Sequence, residues 1–279
     1  MNKSVAVLIT CHNRREKTLA CIKALLNSSW DEKYLVDVFL VDDGSTDQTT
    51  DAVKEKFPRV NILHGDGTLY WNQGMRLAWE SASAFNSYDY YLWLNDDTLL
   101  KTDSLSVLLS SSESKQNRAI TCGSTASAMT GMVNYGGWEQ CRKIIIEPNG
   151  SLQSCDFFNG NCVLIPQSVF NKVGNLDPHF KHAFGDFDYG LRARKLGIEI
   201  YIAPTIIGFC EDHDLVPEWR SMQVNLRMRL IGLYSPLGCN PFEFWRYDRT
   251  HHGLRSSVVH FVSLHLRAIF PSLWKDSGK

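Results

Sequence analysis

Nine residues constrain this chain more than any others: Tyr90-Tyr91-Leu92-Trp93-Leu94 runs straight into Asn95-Asp96-Asp97-Thr98. An apolar run this short and aromatic predicts a buried strand rather than a helix. A buried parallel strand ending in carboxylates presents them at the carboxyl edge of its sheet, where open α/β folds bind ligands. Hard oxygen ligands there suit Mg²⁺ or Mn²⁺, whose shell a bound phosphate usually helps complete. The plainer reading is that Asp96 or Asp97 caps the next helix, near Thr102-Asp103-Ser104.

The surrounding sequence repeats the pattern. Val5 to Thr10 is a continuous apolar run followed by Cys11-His12-Asn13-Arg14, after which Leu19, Ile22, Leu25 and Leu26 recur at helical spacing. A second strand, Val36 to Val41, ends in Asp42-Asp43-Gly44-Ser45-Thr46-Asp47, where Gly44 permits a tight turn. Ser45 with Gln48 reads as a capping box for a helix running to Phe57. A third strand, Val60 to Leu63, leads through Gly65-Asp66-Gly67 to a helix beginning near Asn72. This β-α-β-α order predicts an α/β fold with a doubly wound, mostly parallel sheet. From about residue 119 helices become rarer and Glu147 to Ser151 reads as a hairpin turn. Asp156 to Pro166 is strand-like again, Asp186 to Leu196 reads as a helix ended by Gly197, and Glu199 to Ile202 as a further strand. The expected division is a catalytic unit over 1–217, with its ligand-binding half over about 1–100 and a more mixed half over 101–217, and a helical extension over 218–279.

Three strand ends therefore carry polar residues to one sheet edge: Thr10 to Arg14, Asp42-Asp43, and Asn95 to Asp97. Asp42 is suited to accept from a base N–H or a ribose hydroxyl, with Thr10 and Asn13 framing the same ring. Each alone has a plain explanation as turn former or cap, whereas three on one edge point to a ligand site. Neither GxGxxG nor GxxxxGK[ST] occurs, so dinucleotide and P-loop binding are not indicated. A net charge of −1 shows no basic excess of the kind a nucleic-acid binder carries. Eight cysteines show no CxxC pairing and several sit in apolar runs, as expected for a reducing cytoplasm. No secretory leader precedes the first strand, and no apolar run reaches the roughly 18 residues a membrane span requires.

A second constellation runs from His182 to Arg192. Asp186 and Asp188 stand at the start of the predicted helix, where carboxylates are electrostatically favoured in any case; the chemical reading makes one of them a general base. His213, within Glu211-Asp212-His213-Asp214, is a candidate metal ligand.

Taken together these stretches resemble the family 2 glycosyltransferases, inverting enzymes with the GT-A fold. Leu8 to Arg14 looks like that family's first strand and nucleotide loop, and Val41 to Asp47 its second loop. Asn72-Gln73-Gly74 resembles its Asn-x-Gly helix start, and Asn95-Asp96-Asp97 stands where its metal-binding DXD would be. Asn159-Gly160 through Pro166, then Val173 to Asp177, is similar to its acceptor-side segment, and Gly185-Asp186-x-Asp188 to its Glu-Asp base motif. The likeness spans roughly residues 4 to 215. It implies that Thr10, Asn13, Arg14, Asp42, Asp43, Asn72, Asn95 and Asp96 contact the donor nucleotide. It further implies that Asp97 and His213 hold Mg²⁺ or Mn²⁺, that Asp186 is the base, and that Trp138, Asn159, Gly160 and Asp188 serve the acceptor. Two departures stand out: Asn95 replaces the first Asp of the DXD, and Gly185 replaces the Glu of the base motif.

The expected activity is transfer of a hexose or deoxyhexose from a UDP- or dTDP-sugar to a hydroxyl of a glycan or polyprenyl-linked acceptor. Surface-polysaccharide assembly (O-antigen or capsule) at the inner face of a bacterial membrane is the implied setting. Trp71 and Trp138 are candidate sugar platforms, with core packing the alternative. Val258, Phe261, Val262, Leu266, Ile269, Phe270 and Leu273 recur at helical spacing in the tail. That pattern fits a helix lying on a membrane over 254–275, packing on the core, or a homodimer contact. A sugar nucleotidyltransferase and a noncatalytic GT-A-like scaffold subunit are the competing classes.

Overall fold

The computed structural model describes residues 3–29, 33–211 and 217–274. Strands and helices alternate through the first hundred residues: β1 (Lys3–Cys11), α1 (Arg15–Leu26), β2 (Tyr34–Asp42), α2 (Thr49–Lys56), β3 (Asn61–His64), α3 (Tyr70–Phe85) and β4 (Tyr90–Leu94). There follow β5 (Leu99–Leu100), α4 (Ser104–Ser114), β6 (Ile120–Ala126), β7 (Val133–Tyr135), β8 (Gly137–Glu139), β9 (Ile144–Ile145), β10 (Gln153–Ser154), β11 (Phe157–Phe158), β12 (Cys162–Pro166), α5 (Gln167–Val173), α6 (Gly185–Lys195) and β13 (Ile200–Phe209). The rest is helical: α7 (Leu226–Tyr234), α8 (Pro241–His251) and α9 (Leu254–Ile269), with short 3₁₀ turns at Glu218–Arg220 and Pro271–Leu273.

The main sheet runs β10-β13-β6-β12-β4-β1-β2-β3. Strands β3, β2, β1 and β4 are mutually parallel, while β12 enters antiparallel to both β4 and β6. A small second sheet pairs β11, β8 and β9. The period-two alternation along β1 assigns the two faces. Val5, Val7 and Ile9 join Leu19, Ile22, Leu25 and Leu108 in one core, beneath α1 and α4. Ala6 and Leu8 join Met75, Ala78, Trp79 and Tyr189 in the other, beneath α3 and α6. Burial on both faces explains why these strands read as unbroken apolar runs.

Several local expectations are revised. The α2 helix has no Ser45–Gln48 capping box: Gln48 adopts a left-handed φ of 63° with no side-chain cap. Asp47 takes the role, accepting from the Thr49 backbone N–H and from its hydroxyl. The α3 helix begins at Tyr70, ahead of the Asn72 expected. Neither Asp96 nor Asp97 caps α4, whose N-cap residue is Asp103.

The helical tail divides. The α8 helix lies on the 177–184 loop and α6, with Phe184 stacked on Phe244 at 5.1 Å and Arg246 paired with Asp177 at 2.9 Å. The α7 and α9 helices form a small core of their own around Trp219, Leu233, Leu264 and Ala268. No helix among the described residues is long and apolar enough to cross a membrane.

Candidate functional site

The parallel register brings Cys11 opposite Asp42 and sets β4 alongside β1, so all three polar strand ends emerge at one edge. The reversed strand β12 supplies the fourth wall. Its first residue, Cys162, lies opposite Leu94, and the Asn95 N–H donates to the Asn161 carbonyl at 2.9 Å. Gly160 and Asn161 thus meet Asn95 to Asp97 across a single hydrogen bond.

Most of the residues expected to touch a nucleotide are engaged in building this edge. Asp43, 4% exposed, accepts from the backbone N–H groups of Gly67, Leu69 and Tyr70, which fixes the loop into α3. It acts as a brace for this loop. Asp42 accepts from the Ser45 N–H and the Thr50 hydroxyl; each oxygen keeps a second lone pair, so a nucleobase N–H has to share it. Asn13, exposed and at φ 51°, accepts from the Thr46 N–H at 2.7 Å while its own N–H donates to Ser45, stitching the first two loops together. Thr10 lies against Gly74: a Cβ there would come within 2.2 Å of its hydroxyl oxygen, so the glycine is what lets α3 lie so close to β1. Asn72 is wholly buried, donates to the carbonyls of Asp177 and Phe180, and so joins α3 to the 177–181 loop instead of facing a ligand.

The carboxylate pair is held by Arg14. One guanidinium nitrogen lies 2.8 Å from Asp97 Oδ2 and 3.1 Å from Asp96 Oδ1. Burial pushes the Asp96 carboxyl up to about 6, with Arg14 opposing and Asp97 adding to the shift. The Cys210 thiol, at the end of β13, lies 3.5 Å from Asp97 Oδ1. Asn95 offers no third carboxylate, and its amide oxygen accepts from the Trp71 indole N–H at 2.7 Å.

Asp186 stands at the other side of the same cleft. Its carboxylate accepts from the Gly160 N–H and the Phe187 N–H, both at 2.9 Å. Burial nevertheless dominates and raises it to about 6, the backbone hydrogen bonds working against the shift. The Trp71 ring packs over Gly160, where an added Cβ would fall 2.5 Å from the indole and 3.3 Å from the Asp186 Cβ. Trp71, Asn95, Gly160 and Asp186 therefore form one contiguous wall.

Next to it, Trp138 donates to Asn159 at 2.7 Å and stacks parallel to Phe157, which in turn meets the Phe187 ring. Asn159, Gly160 and Trp138 are thus brought together beside Asp186. Asp188 is not. It is 1% exposed, and its oxygens are bonded to Arg192 Nε and His251 Nε2, both at 2.7 Å. A carboxylate so enclosed ties α6 to α8. Gly185, where a Glu is expected by resemblance, is explained by its neighbour: a Cβ there would lie 1.8 Å from the Asn72 amide oxygen.

His213 lies outside the described residues. Among the described residues no group of three or more His, Cys, Asp or Glu side chains converges as a metal site. The donor chemistry still fits a divalent ion, because two hard carboxylates, Asp96 and Asp97, already converge on a single cationic nitrogen. Sequence reading missed Cys210, Asn161 and His251. Only the position of Cys210 at the end of an apolar run gave any signal.

A mixed, mostly parallel sheet with a carboxylate-lined edge of this shape is that of a GT-A glycosyltransferase. The fold is similar to that of the mannosyltransferase PcManGT from Pyrobaculum calidifontis, solved in complex with GDP-Man and Mn²⁺. The TM-score is 0.59 over 99% of this chain and 89% of that one, at 11% identity. No curated protein sequence matches the chain. A sequence model of glycosyl transferase family 2 matches residues 6–187, and the chain belongs to that family. It is accordingly a glycosyltransferase, and the nucleotidyltransferase alternative falls away.

Proposed function

We propose that this enzyme moves one sugar from a nucleoside diphosphate donor to an acceptor hydroxyl, inverting the anomeric centre, with Asp186 as general base. The observation that carries the reading is the Asp186 carboxyl itself. Held by two N–H groups beside Trp71 and Gly160 and lifted to about 6, it is ionised at neutral pH yet basic enough to take a hydroxyl proton. Well-placed bases of this kind contribute roughly 10²–10⁴-fold.

Asp97, with Asp96, would hold Mg²⁺ or Mn²⁺ in place of the Arg14 guanidinium, and a bound ion of this type neutralises charge on a departing diphosphate. His213 is the expected third contact by resemblance. Arg14, beside the same carboxylates, is suited to pair with a phosphate by charge-assisted hydrogen bonds. Asp42, Asn13 and Thr10 frame the base and ribose. The mannosyltransferase of similar fold carries GDP-Man and Mn²⁺, which supports a nucleotide sugar with a divalent ion and adds GDP to the UDP and dTDP expected. Trp138, Asn159 and Gly160 serve the acceptor, a glycan or a polyprenyl-linked oligosaccharide in surface-polysaccharide assembly at the cytoplasmic side of the membrane.

A thermal-shift panel of UDP, dTDP, GDP and CDP with and without Mn²⁺ tests the donor site, because a ligand of the native state raises apparent stability. One nucleotide giving a metal-dependent rise supports the reading and names the base. No rise with any of them overturns it.

A further inference from the structure

We infer that the outward face of α9 is a docking surface for an anionic lipid bilayer. Ser257, Leu264 and Ala268 of this helix are buried against the protein. At 100° per residue, the opposite arc is made by Val258, Val259, Val262, Leu266 and Ile269, with Arg255 among them. All five apolar residues are between 42% and 56% exposed. The stripe continues past the helix end through Phe270 and Leu273, 56% and 52% exposed. A helix that buries three small or medium residues and shows water a row of Val, Leu and Ile is partnered on the wrong side for an isolated molecule.

Charge identifies the partner. Residues 217–274 hold seven arginines and no lysine against three acids, Glu218, Glu243 and Asp248, in a chain whose net charge is −1. Two of these acids are engaged within the protein. Asp248 is 1% exposed and bonded to His260, and Glu243 is half-buried and accepts from the Lys181 N–H. Arg246 is spent on Asp177 and Arg229 is buried against backbone carbonyls, so the positive charge framing the apolar row is that of Arg255 on the arc itself, with Arg220, Arg227, Arg249 and Arg267 on the same segment. A two-fold contact between copies would set one such predominantly basic face against another, which like charge disfavours. A bilayer with phosphate headgroups answers both features, since the apolar row enters the acyl boundary while the arginines meet phosphate. A helix of 16 residues with this pattern lies along the interface and does not cross it. The inference is independent of which sugar is transferred and reads out in lipid binding alone, so its failure leaves the donor site untouched.

The test is flotation of the full chain with vesicles of phosphatidylcholine alone and of phosphatidylcholine with phosphatidylglycerol. Binding to the mixed vesicles, weakened as NaCl is raised, is expected. The double variant Val262→Glu/Leu266→Glu should bind at least about tenfold more weakly, and Arg255→Glu roughly tenfold more weakly on the anionic vesicles only. Val258→Asp/Val259→Asp is a second pair at exposed positions, and unchanged thermal midpoints show that the variants fold. Absence of flotation with either vesicle overturns the proposal. So does equal flotation of wild type and both double variants, or a wild-type dimer in sedimentation that these same substitutions dissolve.

Discussion

The amide oxygen of Asn72 occupies the space that a side chain at position 185 would need, with only 1.8 Å between it and an ideal Cβ. The two positions are 113 residues apart in sequence, yet each determines what the other can be. A buried Asn on α3, donating to Asp177 and Phe180, requires a glycine at the start of the α6 helix that carries Asp186.

Gly185→Ala should therefore lower stability by roughly 1–3 kcal/mol, the usual cost of forcing an extra methyl into a packed site. The cost should shrink when Asn72→Ala is present, because the clash is then gone and the pair is non-additive. Chemical unfolding of the four proteins of this cycle measures it. Additive losses would refute the contact.

Asp186→Asn should keep nucleotide-induced stabilisation and lose roughly 10²–10⁴-fold in transfer. In the wild type, turnover at saturating donor should rise with pH through about 6, as the carboxyl gives up its proton, and then level. A pH-rate profile checks the limb, and retained turnover in the variant would reassign the base.

The same ionisation affects folding. Asp186 titrates near 3.8 when unfolded and about 6 when folded, so between these values the native state holds a proton that the unfolded chain has released. Its contribution is complete below the lower value and declines as pH climbs through the higher one, by on the order of 3 kcal/mol. Thermal midpoints across that window should show Asp186→Asn gaining on the wild type as pH rises. A difference independent of pH would mean that burial does not raise this carboxyl.

Arg14→Ala removes the cation that bridges Asp96 and Asp97. Mn²⁺ alone should then stabilise the variant more than it does the wild type, since no guanidinium competes for the carboxylates. Without added metal the variant should unfold earlier at neutral pH, because a buried Asp96 charge has lost its partner. Calorimetric unfolding with and without MnCl₂ reads both effects, and an identical metal response would exclude competition.

His251→Ala leaves the Asp188 carboxylate with Arg192 alone. Losing a hydrogen bond to a buried charged group costs about 1.5–3 kcal/mol. Denaturant unfolding should show a loss of that order, whereas exposed His179→Ala serves as a control with little effect.

How far the sequence carried this picture follows from which signals are local. The strand run Tyr90 to Leu94 and its terminal Asp96 and Asp97 are legible because burial on both faces writes itself as an unbroken apolar run. The gathering of Thr10, Asp42 and Asn95 at one edge follows from parallel order alone. What separates Asp42 from Asp43 is not local: neighbouring carboxylates point to different partners, and only the 65–70 loop reveals that Asp43 is a brace. Asp188 reads as an acceptor residue beside Asp186 until His251, 63 positions away, is seen to close over it. The Ser45–Gln48 cap failed for a similar reason, since Asp47 reached the Thr49 N–H first.

The bond from His251 to Asp188 also decides where this protein can be cut. A chain stopped near residue 217 would expose the stacking face of Phe184, release Asp177 from Arg246 and leave Asp188 with Arg192 alone. The tail is thus fastened to the family segment through α8. Grafting it onto another such half would require a carboxylate at the position of Asp188 to receive His251.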